Sequence, residues 1–247
     1  MTQPLNPKDI IARRCARELR AGEVVNLGLG TPTLVANHLP SDAGVIFHTE
    51  NGAFGFGGRP TYYQADSDLT NAGCEPITLN PGAALMDLAT SLGAMRRGYI
   101  DVTILGALEA DAEGNIANWA TRRQGRWWPG IGGAMDLCHG TPKVIAALQH
   151  VDKRGEPKLR QRCTLPLTGR GCVKVIVTEL AVFDVRPGAG LLLRELRADL
   201  DLARLRNCTE AEFSVSTQLQ AMELGELAPR ASVQHHTSQS VRERIDS

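Results

Sequence analysis

Along the first half of the chain, short apolar runs alternate with stretches whose apolar residues recur at helical spacing. Asn6-Pro7 offers a helix start, with Asn as cap and Pro in the first turn. Ile11, Cys15 and Leu19 follow on one face with Ala12 and Ala16 beside them, and Gly22 is expected to end that helix. Val24-Val25-Asn26-Leu27 reads as a strand that runs into Gly28-Leu29-Gly30-Thr31-Pro32. There Thr31 can cap, and Pro32 can open, a second helix extending to Leu39. Residues 45–47 read as a strand that delivers His48-Thr49-Glu50-Asn51-Gly52 at its C-terminal end. Residues 53–83 show little regular pattern, which predicts a long and therefore functional loop. Residues 84–97 have helical composition, with Gly98 at the expected stop, and 102–105 form a strand. Residues 108–140 are again Gly-rich and irregular. Strands are predicted at 144–148 and 191–193, a hairpin at 173–177 and 181–185, and a short helix at 199–206.

This alternation of strands and helices predicts an α/β fold, an open, mostly parallel sheet flanked by helices. The later hairpin adds a mixed or antiparallel edge. Residues 1–219 read as a single domain. The polar segment 220–247, repetitive in Gln, Ser, His and Arg, reads as a mobile tail.

Composition narrows the function classes. The 247 residues are 43% hydrophobic but only 4% aromatic, so the core must be built mainly from Ala, Val, Leu and Ile. Lys+Arg and Asp+Glu both number 27, which gives no global electrostatic case for nucleic acid or an anionic membrane. The N-terminus lacks the basic start and apolar run of a secretory signal. No stretch approaches the roughly 18 consecutive apolar residues of a membrane helix. The six Cys show neither CxxC pairs nor zinc-type spacing with His, so a cytoplasmic chain with reduced thiols is expected.

Four constellations carry candidate chemistry. Gly28 and Gly30, between a strand and a helix, let backbone N–H groups approach an anion, or simply make the turn. The third glycine of a dinucleotide fingerprint is absent, because position 33 is Thr. Glu50 stands at the end of a strand before Asn51-Gly52, two residues that tolerate φ > 0 and can present the carboxylate sharply at a sheet edge. It can serve as nucleophile, general base or metal ligand, or be an ordinary solvated turn residue. The run Pro129-Gly130-Ile131-Gly132-Gly133 can aim consecutive N–H groups at one point, as an oxyanion hole does, or be a flexible loop. Asp66-x-Asp68-Leu69-x-Asn71-Ala72-Gly73 lacks the Glu that would complete a calcium loop, so turn chemistry is the simpler reading and no metal is expected. His48 receives no role, since a carboxylate nucleophile needs no base.

Taken together, these blocks resemble the β-type subunit of the family I CoA-transferases, the 3-oxoacid and 3-oxoadipate type. The resemblance is carried by the stretch from Val25 to Thr33, by Glu50-Asn51-Gly52 with Gly55-x-Gly57, and by the Asp66–Gly73 segment. Leu105-Gly106-Ala107, Ala117-Asn118-Trp119, the stretch from Gly132 to Leu137 and Cys163-Thr164-Leu165-Pro166-Leu167-Thr168-Gly169 continue it in family order, from about residue 8 to about 220. It implies a heteromer with an α subunit and coenzyme A as substrate, with no permanently bound cofactor. It also implies a ping-pong exchange between an acyl-CoA, such as succinyl-CoA, and a carboxylic acid, a 3-oxo acid first among them. The family's nucleophile corresponds to Glu50, which would carry a glutamyl-CoA thioester. The Gly133 N–H would be an oxyanion donor, typically worth roughly 3 kcal/mol. Gly28, Gly30, Asn51, Gly52, Asn71, Gly73 and Gly132 would shape the CoA site.

The chain departs from the family in two places. It carries Leu85, Met86 and Leu92 where the family usually has aromatics, which either reshapes a pocket or repacks the core. A longer loop carries Arg122-Arg123-Gln124-Gly125-Arg126-Trp127-Trp128, in which Arg126, Trp127 and Trp128 are candidates for substrate specificity or for an altered subunit contact. An acyl-CoA hydrolase on the same fold is the alternative enzyme. A binding subunit without catalysis is a third reading, disfavoured by the retained Glu50-Asn51-Gly52.

Overall fold

The apolar run Val24–Leu27 forms β1, the strand from which the main sheet extends on both sides. The computed structural model describes residues 6–40 and 42–225. On one side of β1 lie β2 (Ile46–Thr49), β3 (Ala53–Phe56) and β4 (Leu79–Leu85). On the other, in order, lie β5 (Val102–Gly106), β10 (Lys143–Ala147), β12 (Val173–Val177), β13 (Ala181–Arg186), β14 (Gly190–Leu196) and β15 (Phe213–Ala221). Between β5 and β10 the chain makes β6 (Glu109–Asp111) and β7 (Ile116–Ala117), which join β11 (Leu159–Arg160) in a small sheet. It also makes the hairpin β8 (Ala120–Arg123) and β9 (Arg126–Pro129).

Only β3 and β13 run against the other strands of the ten-stranded sheet. The expected parallel sheet with a mixed edge is therefore present, and both edges are mixed. Strand alternation divides the core between the two faces. On β10, Val144 and Ala146 belong to one buried cluster, and Ile145 and Ala147 to the other. Helix α1 (Pro7–Ala16) covers the second face with Ile11, Cys15 and Ala12. The first is covered by α2 (Leu88–Arg96), α3 (Ala134–Gly140) and α4 (Leu202–Asn207), which contribute Met95, Leu137 and Leu205. A buried ion network pins α1 to the sheet. Arg14 donates to Glu195 at 2.5 and 2.6 Å and to Glu18 at 2.8 Å, while Lys143 reaches Glu18 at 3.2 Å.

Several elements differ from the sequence-based expectation. Helix α1 ends at Ala16 with Arg17 as its cap, and Gly22 instead takes φ 86° in the turn before β1. The helix after Gly30 is a 3-10 helix, Thr31–His38, capped by Gly30 at φ 85° rather than by Thr31. The predicted loop 53–83 contains β3, β4 and a short 3-10 turn, Tyr62–Gln64. Strand β4 carries Pro81 and Gly82, which read as loop, but it is the sheet's outer strand, where proline is tolerated. Ala84 and Leu85 belong to β4, so α2 begins later, at Leu88, where the Asp87 carboxylate accepts from the Thr90 N–H at 2.9 Å. Leu92 packs against the core, whereas Leu85 is exposed on the edge. The irregular stretch 108–140 holds four short strands and α3. At the other end, β15 continues through Ala221, Met222 is buried and Glu223 pairs with Arg17 at 2.9 Å. The first residues of the predicted tail are thus part of the packed domain, and 226–247 lie outside the described residues.

Candidate active site

Strands β2 and β5 flank β1 on opposite sides, so the chain reverses its direction of winding there. In open α/β sheets the crevice beyond the carboxyl ends of strands at such a point binds ligands. A cleft of about 340 Å³ occupies this place. Its wall is formed by Gly28, Leu29 and Gly30 after β1, Leu105 to Leu108 at the end of β5, and Leu148 and Gln149 after β10. Glu50, directly after β2, and Gly132 and Gly133, before α3, close one side. A Cβ on Gly28 would crowd the neighbouring strand, 3.1 Å from the Ile104 carbonyl oxygen.

Glu50 is half-buried, and its Oε2 accepts a hydrogen bond from the Gly133 N–H at 3.1 Å. Burial raises the Glu50 pKa from its usual value; the Gly133 bond opposes this and the nearby Asp136 carboxylate adds to it. A carboxylate so placed is partly stripped of water and held by a single backbone donor, a state suited to nucleophilic attack. The approach is close because both glycines lack side chains. A Cβ on Gly133 would stand 2.6 Å from Oε2, and one on Gly132 3.1 Å from Oε1.

The turn carrying Glu50 is fixed from below. Gly52 has φ 115°, and a Cβ there would fall 2.0 Å from the Met86 carbonyl oxygen. The Met86 N–H donates back to the Gly52 carbonyl at 2.9 Å. Thr49 Oγ donates to Asn51 Oδ1 and accepts from the Ala72 N–H, both at 2.9 Å. Asn51 Nδ2 donates to the Thr70 carbonyl at 2.8 Å. Asn71 is buried, and its Oδ1 accepts from the N–H groups of Gly73 and Glu75 at 2.8 and 3.1 Å. Asn51, Gly52, Asn71 and Gly73 therefore clamp the 66–76 segment onto the Glu50 turn and do not line the cleft. Gly28, Gly30, Gly132 and Gly133 do. Arg126, Trp127 and Trp128 are exposed on β9, outside the cleft, and the chain runs from them through Gly130, which lines it.

The sequence gives no site role to His48, Lys8 or Lys158, and Asn118 enters there only within the Ala117-Asn118-Trp119 block. His48 is fully buried between Asn26 (Nδ1, 3.1 Å) and Ser91 (Nε2, 2.9 Å), with its ring 4.3 Å from that of Phe54. Burial lowers its pKa to about 4, so it is a neutral strut between β2 and α2. Lys8, Asn118 and Lys158 line the cleft. Among the described residues, no group of three or more His, Cys, Asp or Glu is placed to hold a metal. No helix among them is long and apolar enough to cross a membrane.

The family model described as coenzyme A transferase matches residues 8–198. The chain belongs to the coenzyme A transferase family. The family resemblance read from the ordered sequence blocks is thereby borne out. The beta subunit of the acetate CoA-transferase of Escherichia coli K12 is 46% identical over 215 residues, covering 87% of this chain and 97% of that protein. The B-type subunit of the succinyl-CoA:3-ketoacid coenzyme A transferase of Helicobacter pylori 26695 is 44% identical over 208 residues, covering 84% and 99%. Among solved structures, the acyl-CoA transferase YdiF of Escherichia coli O157:H7 superimposes with a TM-score of 0.71 at 21% identity. That match covers 91% of this coenzyme A transferase chain and 44% of the longer YdiF polypeptide, and it speaks to the fold alone.

Proposed function

We propose that this chain is the β-type subunit of a heteromeric CoA-transferase, working with an α subunit and moving CoA between an acyl-CoA and a carboxylic, 3-oxo, acid. The observation that carries this reading is the Glu50 carboxylate in the cleft, accepting from the Gly133 N–H at 3.1 Å. Relatives named as one subunit of such enzymes support the need for a partner. Coenzyme A enters as substrate. The setting is cytoplasmic, which agrees with six cysteines that are all free.

In this mechanism the Glu50 carboxylate attacks the thioester carbonyl and expels CoA thiolate, leaving an acyl-glutamyl anhydride. The thiolate then attacks the Glu50 carbonyl and expels the acid, leaving a glutamyl-CoA thioester. An acceptor carboxylate attacks that thioester, releases the thiolate and forms a new anhydride. The thiolate attacks the new acyl carbonyl and returns Glu50 as carboxylate. No water is consumed, and the thioester is conserved. Whenever the Glu50 carbonyl is attacked, negative charge develops on its oxygen. The Gly133 N–H already points at that oxygen position, and such a donor is worth about 10²-fold or more in rate. Gly28, Gly30 and Gly132 leave room for the CoA arm. Asn51, Gly52, Asn71 and Gly73 serve the CoA site by holding the Glu50 turn. Arg126, Trp127 and Trp128 select the substrate once the α subunit closes the cleft.

The test is mass spectrometry of the chain co-purified with its partner, after incubation with a panel of acyl-CoAs and no acceptor. A CoA adduct on the peptide containing Glu50, absent in Glu50→Ala, is the expected result. Release of free CoA with no adduct from any donor would replace transfer with hydrolysis.

A further inference from the structure

Among the described residues, the charged side chains lining the cleft are Glu50, Lys8 and Lys158. When Glu50 becomes an anhydride or thioester it loses its charge, and two cations remain in the cleft without a lining carboxylate. Lys8 is exposed on the first turn of α1, but Lys158 is half-buried. Its backbone is fixed on both sides. Its N–H donates to the His150 carbonyl at 3.0 Å, and its carbonyl accepts from Ala110 at 3.1 Å. Its Nζ donates to the Ala107 carbonyl at 2.9 Å. An ammonium has three donors, and no carboxylate among the described residues lies within ion-pairing distance of this one. Burial lowers the Lys158 pKa, while the more distant Glu179, Asp152 and Glu109 oppose that shift. A partly desolvated cation with spare donors gains from an arriving anion.

Position narrows what that anion is. Ala107 follows β5, and Glu50 follows β2; the order β5-β1-β2 puts two strand spacings, about 10 Å, across the sheet between them, and the register sets Ala107 two residues, about 7 Å, further along it, for a backbone separation of about 12 Å. A dicarboxylic acyl chain of about four to six carbons, with bonds of about 1.5 Å, is about 4–8 Å long and spans part of that gap, with the Glu50 side chain that carries it crossing more from its own end. A charge-assisted hydrogen bond of about 2.8 Å closes the remainder.

We propose that Lys158 is a specificity-determining residue that binds the remote carboxylate of a dicarboxylic acyl group while its other end is joined to Glu50. The assignment rests on Glu50 being the acyl carrier. The experiment uses the assembly with its partner subunit and compares kcat/KM for succinyl-CoA and glutaryl-CoA with that for acetyl-CoA and butyryl-CoA. In Lys158→Met, the ratio of dicarboxylic to monocarboxylic kcat/KM falls about ten- to a hundredfold, mostly through KM. Lys158→Arg recovers much of it. Should Lys158→Met fail to assemble, Lys158→Gln, which keeps a donor but no charge, reads the same ratio. A ratio within about twofold of wild type overturns the assignment, whether or not the absolute rates fall; a uniform loss would mark a contact to the CoA moiety or a structural role. The wild-type adduct on Glu50 is measured in the same series, so a failure of the acyl-carrier reading shows as its absence and is distinct from an unchanged ratio.

Discussion

Gly52→Ala separates the role of the Glu50 turn from that of the glutamate itself. At φ 115°, alanine sits in a region that costs about 1–3 kcal/mol. Its Cβ would also stand 2.0 Å from the Met86 carbonyl oxygen, well short of an ordinary contact of about 3.5 Å. The two backbones cannot simply part, because the Met86 N–H is bonded to the Gly52 carbonyl at 2.9 Å and the Gly52 N–H to the Thr49 carbonyl at 2.9 Å. Forcing an atom into such a contact adds about 1–3 kcal/mol. The sum of about 2–6 kcal/mol, at about 2–4 °C per kcal/mol for a chain of this size, lowers the melting temperature by roughly 4–24 °C. Thermal unfolding followed by far-ultraviolet circular dichroism reads this directly, and adduct formation on Glu50 should fall with it. A variant melting within about 2 °C of wild type would refute the reasoning, since neither the backbone angle nor the contact would then be as restrictive as the geometry requires.

Gly133→Ala should behave in the opposite way. Its φ of −73° suits alanine, and the atoms nearest the new Cβ are the movable ends of Glu50 and Met95. Melting should change little while adduct formation drops about 10²-fold, as for a reactive group displaced by about 1 Å; an undiminished adduct would argue against the close fit. Glu50→Gln should stabilise the fold at neutral pH. The Glu50 pKa is raised in the folded state, so the folded chain holds the proton more tightly and loses stability as pH rises through that range. The advantage of Gln should shrink as the pH falls below the ordinary glutamate pKa, and urea unfolding at pH 4 and pH 7 would show whether it does. Two buried rings, His48 and His150, have pKa values lowered to about 4, so on acidification the unfolded chain is protonated first. Their contribution is complete above about pH 6.5 and is lost towards pH 4, at about 3 kcal/mol per ring. Urea midpoints that stay flat from pH 6.5 to 4.5 would contradict this.

The central strands were legible because each is a short apolar run buried on both faces, as parallel strands between helices must be. Val24–Leu27 and Val102–Gly106 show this well. Glu50 was legible as a strand-end carboxylate before two residues that permit a sharp turn. Strand β4 was not: Pro81, Gly82 and its exposed side chains follow loop rules, and only its place at the sheet's edge lets them form a strand. The bond between Glu50 and Gly133 joins residues 83 apart in sequence, and no local pattern announces such a contact. Lys158 follows Glu156-Pro157 in a polar segment and looks like a solvated surface lysine. Its Nζ is held by the Ala107 carbonyl just after β5, 51 residues away, which no residue near it in sequence announces.

The strand order bears on how the polypeptide matures during synthesis. Counting outward from β1, the strands on one side are β2, β3 and β4, and those on the other are β5, β10, β12, β13, β14 and β15. Each segment leaving the ribosome therefore meets an open margin, and none has to be threaded between two strands already paired. The arrangement carries a hazard in exchange. Until residues 143–147 have emerged, Val102–Gly106 presents bare amides beside some of the most apolar residues in the chain, inviting association between neighbouring nascent copies. Ribosomes stalled just before Lys143 emerges are where holding chaperones would have most to shield.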